Sequence, residues 1–338
     1  RYLRLLPLYL FIVLGMTTTT PFLFGGAQVH VTEQLNQSCP KTFWHNLLYV
    51  NNLVSYDWNS LEFMCAGQTW YLANDMQFFV LFTVIFVFLA EKHLLRNLAV
   101  LLIIVGSLVS SIVICIANQY NNNDVSHNRP VDLNEFNDYY MKPWIRVAPY
   151  IIGLFFCEFY LNCPAYPKYK ENQDVPNDNP FRRLNKYFSG NNWASFALFL
   201  FAMALINFSV FSTLICNVYD VPLWFQAVLK TFTKVFFVFG LAVIVQLTFL
   251  GKFKVIYNML SLDLFNVLGK LTFGIYLVHL YIYYTVMAHA STLYYLDFWT
   301  VGMFSMGAMA LATLISLAMS LLFESPVISL LKDLMGKD

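Results

Sequence analysis

Residues 187–219 read YFSGNNWASFALFLFAMALINFSVFSTLICNVY, with no Asp, Glu, Lys or Arg. A helix rises about 1.5 Å per residue, so such a run is long enough to cross a bilayer core of about 30 Å. Residues 5–32, 97–123, 271–296 and 298–323 are equally free of charge. Three further apolar stretches carry charge inside them: Trp70 to Ala90 with Asp75, Trp144 to Cys163 with Arg146 and Glu158, and Trp224 to Phe249 with Lys230 and Lys234. The runs are long and do not alternate, which excludes a closed β-barrel of short strands. The expected fold is all-α, a polytopic membrane helix bundle of about eight spans: 5–25, 70–90, 97–117, 144–163, 191–211, 224–249, 264–288 and 298–323. A single membrane domain would cover residues 1–338.

Composition agrees. Over the 338 residues 59% are hydrophobic and only 12% are charged, where a soluble domain is about a quarter charged. Thirty-three Phe, 21 Tyr and 7 Trp exclude a disordered chain. A net charge of +1 gives no basic excess for nucleic acid.

Basic residues set the expected sidedness. Arg1, Arg4, Lys92, Arg96, Lys168, Lys170, Arg182, Arg183, Lys186, Lys252, Lys254, Lys332 and Lys337 fall on one side, and only Lys41, Arg129 and Lys142 on the other. The positive-inside bias then puts both termini and loops 91–96, 164–190 and 250–263 in the cytoplasm, with outer loops at 26–69 and 118–143. Asn36-Gln37-Ser38 in the first outer loop is a glycosylation sequon, which makes a glycoprotein. Cys39 and Cys65 lie in that same loop, where an oxidising compartment would let them form a disulfide; the alternative is two free thiols. Cys115, Cys157, Cys163 and Cys216, in or at the ends of spans, read as small packing residues.

Each charge within a span needs a partner or a wet cavity. Asp75 and Gln77, one to two turns inside the outer end of their span, border a cavity or cap the helix at headgroup depth. Glu158 is deeper. Lys230 and Lys234 are four apart on one helical face with no acid in their own helix, inviting an ion pair with Glu158 or Asp75, contact with an acidic substrate group, or snorkelling. Arg146 is near enough to the surface to snorkel. His279 shares a face with Tyr276 and Tyr283, and serves either as a proton carrier or as a hydrogen-bonded packing residue. Zinc, P-loop and serine-hydrolase motifs are missing, and no metal site is expected.

Arg1 to Pro7 (RYLRLLP), Trp44 to Asn52 (WHNLLYVNN), Trp70 to Gln77 (WYLANDMQ), Lys142 to Tyr150 (KPWIRVAPY) and Leu271 to His279 (LTFGIYLVH) together resemble the acyltransferase-3 family, and within it the animal nose-resistant-to-fluoxetine-like branch. The resemblance runs in order from the first residue to Glu324-Ser325-Pro326. It implies about ten membrane helices, of which these would be the third to the tenth, so that the chain is expected to be incomplete at its N-terminus. It also implies transfer of an acyl group from cytosolic acyl-coenzyme A, a co-substrate and not a bound cofactor, to a hydroxyl of a lipid, sterol or glycan at the lumenal or extracellular face. The partners implied are membrane lipids, acyl-CoA and a hydrophobic or hydroxylated small-molecule acceptor, in the endoplasmic reticulum or the plasma membrane. The family's Arg-x-x-Arg is matched by Arg1 and Arg4, donor-binding residues for the phosphates of coenzyme A, though the same two side chains would also serve as positive-inside anchors. The family's histidine base lies in a helix that these residues do not include. That leaves His279 and Asp75 as catalytic candidates, and the chain alone is expected to be inactive. Two rivals stand beside this reading: a transporter or lipid-trafficking protein with Asp75, Glu158, Lys230 and Lys234 along its route, or a structural remnant without activity.

Overall fold

The structure is a computed structural model, and it describes residues 1–23, 29–56, 64–120, 133–163, 179–219, 221–288 and 297–334. The basic residues Arg129, Lys168, Lys170 and Lys337 lie outside the described residues, and so do the side chains of Asn36 and Lys332. Every described element is helical. In chain order these are α1 (Tyr2–Leu23), α2 (Val29–Leu47), a 3-10 turn (Gly67–Thr69), α3 (Trp70–Phe88), α4 (His93–Ala117), α5 (Leu133–Glu135), a π-helical turn (Phe136–Tyr140), α6 (Pro143–Leu161), α7 (Pro180–Gly190), α8 (Asn192–Val218), α9 (Leu223–Phe249), α10 (Lys254–Leu260), α11 (Asp263–Ala288), α12 (Phe298–Met319), a second π turn (Ser320–Glu324) and α13 (Ser325–Leu334).

Among the described residues seven helical stretches are long and apolar enough to cross a membrane: Gly67–Phe88, His93–Ala117, Phe136–Leu161, Asn192–Cys216, Leu223–Phe249, Asp263–Tyr283 and Phe298–Leu330. They match seven of the eight expected spans; the one expected at 5–25 corresponds to α1, whose apolar part Tyr2–Thr18 is shorter. The apolar stretch of the 144–163 span begins earlier than expected, at the π turn Phe136–Tyr140, which Met141 and an extended Lys142 separate from α6. Loop 26–69 contains α2, which the polar sequence and Pro40 do not announce.

The chain divides into two compact units, Arg1–Gln77 with Asp263–Asp338, and Phe78–Leu262. In the first, α1 and α2 form an antiparallel hairpin, closed where the Tyr2 hydroxyl donates to the Leu47 carbonyl. Its core gathers Leu8, Tyr9 and Val13 of α1, Leu72 and Met76 of α3, Leu277 and Ile282 of α11, and Ala312 of α12. Helices α11 and α12 approach closely because Gly274 leaves room for Ser316, whose hydroxyl donates to the Leu271 carbonyl. Small residues substitute here for the hydrophobic drive that water would supply, since lipid is as apolar as the side chains.

In the second unit Phe78 and Phe82 pack on Val147 and Ile151 of α6, and α8 lies along α9 with Ala202 against Val243 and Leu247. Asn179 caps the short α7, accepting from the Phe181 backbone N–H, with Pro180 at the first helical position. Asn185 of α7 then donates to the carbonyls of Phe159 and Asn162 and accepts from Gln246 of α9, fastening three helix ends together.

Candidate functional site

In the first unit the start of α3 meets the start of α1. The Arg1 guanidinium pairs with the Asp75 carboxylate, across 74 residues of chain. One stretch along, the Tyr9 hydroxyl donates to Thr69 Oγ1 at 3.0 Å. Passing from Tyr9 to Arg1 therefore follows the direction from Thr69 to Asp75, so the two helices run antiparallel where they meet. Arg1 and Asp75 also share one depth. Thirteen residues, Met76–Phe88, follow Asp75 in α3, about 20 Å of apolar helix. An arginine at the inner membrane boundary and an aspartate near the outer one could not touch, so the two do not lie at opposite ends of their spans, as the sequence led us to expect, but meet at one place. Arg4, one turn on, is exposed.

Behind this pair stands a cluster of buried amides and phenols. Thr69 Oγ1 receives Asn46 Nδ2 at 3.2 Å and Asn51 Nδ2 at 3.0 Å in addition to Tyr9, and donates to the Ala66 carbonyl at 2.7 Å. Asn52 donates to Asn74 Oδ1 at 2.7 Å, and Asn52 and Gln77 exchange bonds through both ends of their carboxamides. Gln77 also donates to the Tyr49 carbonyl at 2.8 Å, so its amide holds the 49–52 turn in place. Tyr49 has φ of 57°, a left-handed conformation uncommon for an aromatic residue, and its ring lies 5.6 Å from that of Tyr2 and 5.4 Å from that of Tyr9. Burial pushes the Tyr49 phenol above its ordinary pKa, with the neighbouring Tyr2 adding to the effect, and the group stays a neutral hydroxyl. The Cys39–Cys65 disulfide closes the segment that carries Asn46, Tyr49, Asn51 and Asn52.

Helix α11 is tied to the same turn: Gln68 Nε2 donates to the Leu277 carbonyl at 2.8 Å, and the Tyr276 hydroxyl donates to the Gln68 carbonyl. His279 is exposed, with Nδ1 2.7 Å from the Tyr276 carbonyl. A carbonyl can only accept, so Nδ1 carries the hydrogen and Nε2 is left with a lone pair for a proton in the neutral ring.

The lysines belong to the second unit and follow a different scheme. Lys230, buried, pairs with Glu135, contrary to the expected pairing with Glu158 or Asp75. Glu135 comes from the 118–143 loop, whose described end folds into α5 and the π turn. Lys234 donates to the Tyr139 hydroxyl at 3.2 Å and lies 4.3 Å from the centre of that ring. Tyr139 also bonds Ser111 at 2.9 Å, and Ser111 bonds Thr231 at 2.7 Å, beside a cavity about one water in size. Glu158 is exposed. Arg146 donates to the Tyr140 carbonyl and stacks on that ring.

Of the residues singled out in the sequence, then, the fold brings Arg1 and Asp75 together, and gives Lys230 the partner Glu135. Sequence reasoning missed Asn46, Asn51, Asn52, Thr69 and Glu135. The signal available for the first three was the density of carboxamides within an aromatic stretch, Trp44 to Asn52.

A family model for an acyltransferase domain, Acyl_transf_3, matches residues 1–321. Nose resistant to fluoxetine protein 6 of Caenorhabditis elegans is 31% identical over 160 residues, which is 46% of this chain and 19% of that protein. The chain thus matches under a fifth of its relative's length. No solved structure matches the chain. With the family model covering nearly every residue, and all five motifs in order within it, this integral membrane protein belongs to the acyltransferase-3 family, on its nose-resistant-to-fluoxetine-like branch.

Proposed function

We propose that the chain forms part of a membrane O-acyltransferase that moves an acyl group from acyl-coenzyme A to a hydroxyl of a lipid, sterol or glycan at the lumenal or extracellular face. The Arg1–Asp75 pair beside the buried amide cluster is the observation that carries this reading. Two groups that the sequence places 74 positions apart meet at one site, next to side chains suited to holding a polar headgroup.

A thioester is already activated, so the protein has to bring donor and acceptor together and remove one proton. The acceptor oxygen attacks the thioester carbonyl, the new ester bond forms as the carbon–sulfur bond breaks, the thiolate leaves, and the hydroxyl proton passes to a base. Arg1 and the exposed Arg4 supply positive charge for the donor's phosphates. Asp75 holds Arg1 in its orientation. Among the described residues of this chain His279 offers a free ring nitrogen to take the proton. The membrane is that of the endoplasmic reticulum or the cell surface, and loops 91–96, 164–190 and 250–263 with the C-terminus face the cytosol, as their basic residues favour.

The direct test is labelled acyl-CoA supplied to vesicles containing the full-length protein of which this chain is part, followed by separation of lipid and glycan fractions. Label in one fraction, reduced at least tenfold by Arg1→Ala, is expected; no label in any fraction and no retention of coenzyme A would end the enzyme reading.

A further inference from the structure

Helix α7 sits where the apolar helices α6, α8 and α9 have their ends. Asn185 bonds the carbonyls of Phe159 and Asn162 at the end of α6, and accepts from Gln246 in the last turn of α9. Asn191 is extended, so the chain turns there before α8 begins, and the Ser195 hydroxyl holds the corner by donating to the Phe188 carbonyl at 2.6 Å. Lys252, just past α9, donates to the Ser189 carbonyl and to Asn192 Oδ1, both at 2.6 Å, and ties the chain entering α10 to the same corner. Because α6, α8 and α9 belong to stretches long and apolar enough to span a membrane, a helix joined to their ends lies at the level of the bilayer surface.

The sequence PFRRLNKYFSG divides around α7 into three faces. Side chains three and four positions apart share a side of a helix. Phe181, Asn185 and Phe188 face the protein: the Phe181 ring lies 4.8 Å from that of Phe159, and Asn185 is buried. Leu184 and Tyr187 form a second, apolar face that is 44% and 57% exposed. Arg182, Arg183 and Lys186 form the third, with Arg183 and Lys186 exposed. A helix on a water-soluble surface needs one face for the core and one for water. The additional face here, apolar yet open and beside the basic one, is the pattern of a helix lying in a membrane surface, its apolar side among acyl chains and its cations among headgroups. Trp193, in the first turn of α8 and 83% exposed, adds an indole where the interface favours one. The charge at this end is one-sided as well. Among the described residues from Asn179 to Leu262 there is no Asp or Glu, and Lys252 and Lys254 stand beside the three cations of α7.

We propose that α7, with Lys252 and Lys254 at the entry to α10, is a surface site for anionic phospholipid. Arg183 and Lys186 hold the negatively charged headgroup, Leu184 and Tyr187 sit among the acyl chains, and Lys252 fixes the corner that presents them. Charge complementarity and the apolar face together select this occupant: a soluble phosphate would match the cations but leave Leu184 and Tyr187 in water, whereas an anionic lipid satisfies both. The positive-inside bias assigns this end to the cytosolic leaflet, which is the leaflet rich in anionic phospholipid. Such binding requires membrane residence and no acyl transfer, so it stands apart from the reading above.

The test uses the full-length protein of which this chain is part, in a neutral detergent without acyl-CoA, with short-chain phosphatidylserine and phosphatidylcholine as the paired probes. Binding is read from the rise in melting temperature with lipid concentration. Phosphatidylserine should bind about fivefold more tightly or better, fivefold being the worth of one basic side chain near an anionic surface. Salt on the order of 0.5 M should erase most of that preference. Arg183→Gln with Lys186→Gln should bring the two lipids within about twofold of each other. Lys92→Gln with Arg96→Gln, in the other short basic turn, should keep the preference. If the α7 double variant fails to fold, Lys186→Gln alone decides, with a loss of about half the preference or more. Equal binding of the two lipids overturns the proposal, as does a preference that the α7 substitutions leave intact or that the Lys92 and Arg96 substitutions reduce as much. Displacement of phosphatidylserine by free coenzyme A at equal concentration also overturns it, since the surface would then serve a soluble phosphate. No transfer is measured, so failure here is separate from failure of the acyl-transfer assay.

Discussion

Arg1 and Asp75 show how much a single ion pair can say about a membrane protein. Their side chains are 31% and 23% exposed, so the pair is neither screened by bulk water nor sealed from it. Asp75→Asn or Arg1→Ala should each cost about 1–3 kcal/mol of stability, because the surviving group keeps its desolvation without its partner. The double variant should cost less than the sum of the two, with a coupling of about 0.5–3 kcal/mol in thermal unfolding. Strict additivity would mean that the two do not interact. The sequence identified Asp75 as a charge among apolar neighbours and Arg1 through the Arg-x-x-Arg resemblance, yet it set them at different depths. Pairing depends on the path of the chain between them. The same limit hid Glu135 as the partner of Lys230, because an acid in a polar loop looks solvated until the loop folds back. Asn46 and Asn51 were harder still: a buried carboxamide and a solvated one are the same letter, and only burial tells them apart.

At the scale of helices, the spans were legible because about twenty apolar residues without charge have few other uses. Their ends were less so. The π turn Phe136–Tyr140 carries polar and aromatic residues that read as loop, and α2 contains Pro40 among polar neighbours. Helix contacts were invisible in hydropathy, which does not distinguish a glycine facing lipid from one facing a helix. Gly240 of α9 is of the second kind: a methyl group there would come within 2.8 Å of the Ala202 carbonyl oxygen and of Ile206 Cγ1 on α8. Gly106 of α4 has open space around it. Gly240→Ala should therefore destabilise the protein by about 1–3 kcal/mol as α8 and α9 are forced apart. Gly106→Ala should be neutral or slightly stabilising. Melting temperatures in detergent distinguish the two, and equal shifts would mean that the α8–α9 contact carries no strain from a methyl group.

For the whole molecule, composition revealed the membrane, motif order revealed the family, and neither revealed the division into two compact units. That division follows contacts between distant stretches, Arg1–Gln77 with the last helices, which no local window of sequence records. One cross-link was foreseeable. Cys39 and Cys65 are 26 residues apart, and closing a loop of that size removes denatured-state entropy amounting to about 3–4 kcal/mol. Reduction, or a Cys39→Ser and Cys65→Ser double variant, should lower stability by about that much in chemical unfolding; an unchanged midpoint would place the constraint elsewhere. The bridge also has a topological effect. Any single break in the backbone between the two cysteines leaves both fragments joined, so the 46–52 turn would stay attached to α3 after a proteolytic cut. A nicked molecule would run at full length on a non-reducing gel and fall into two pieces only with thiol added.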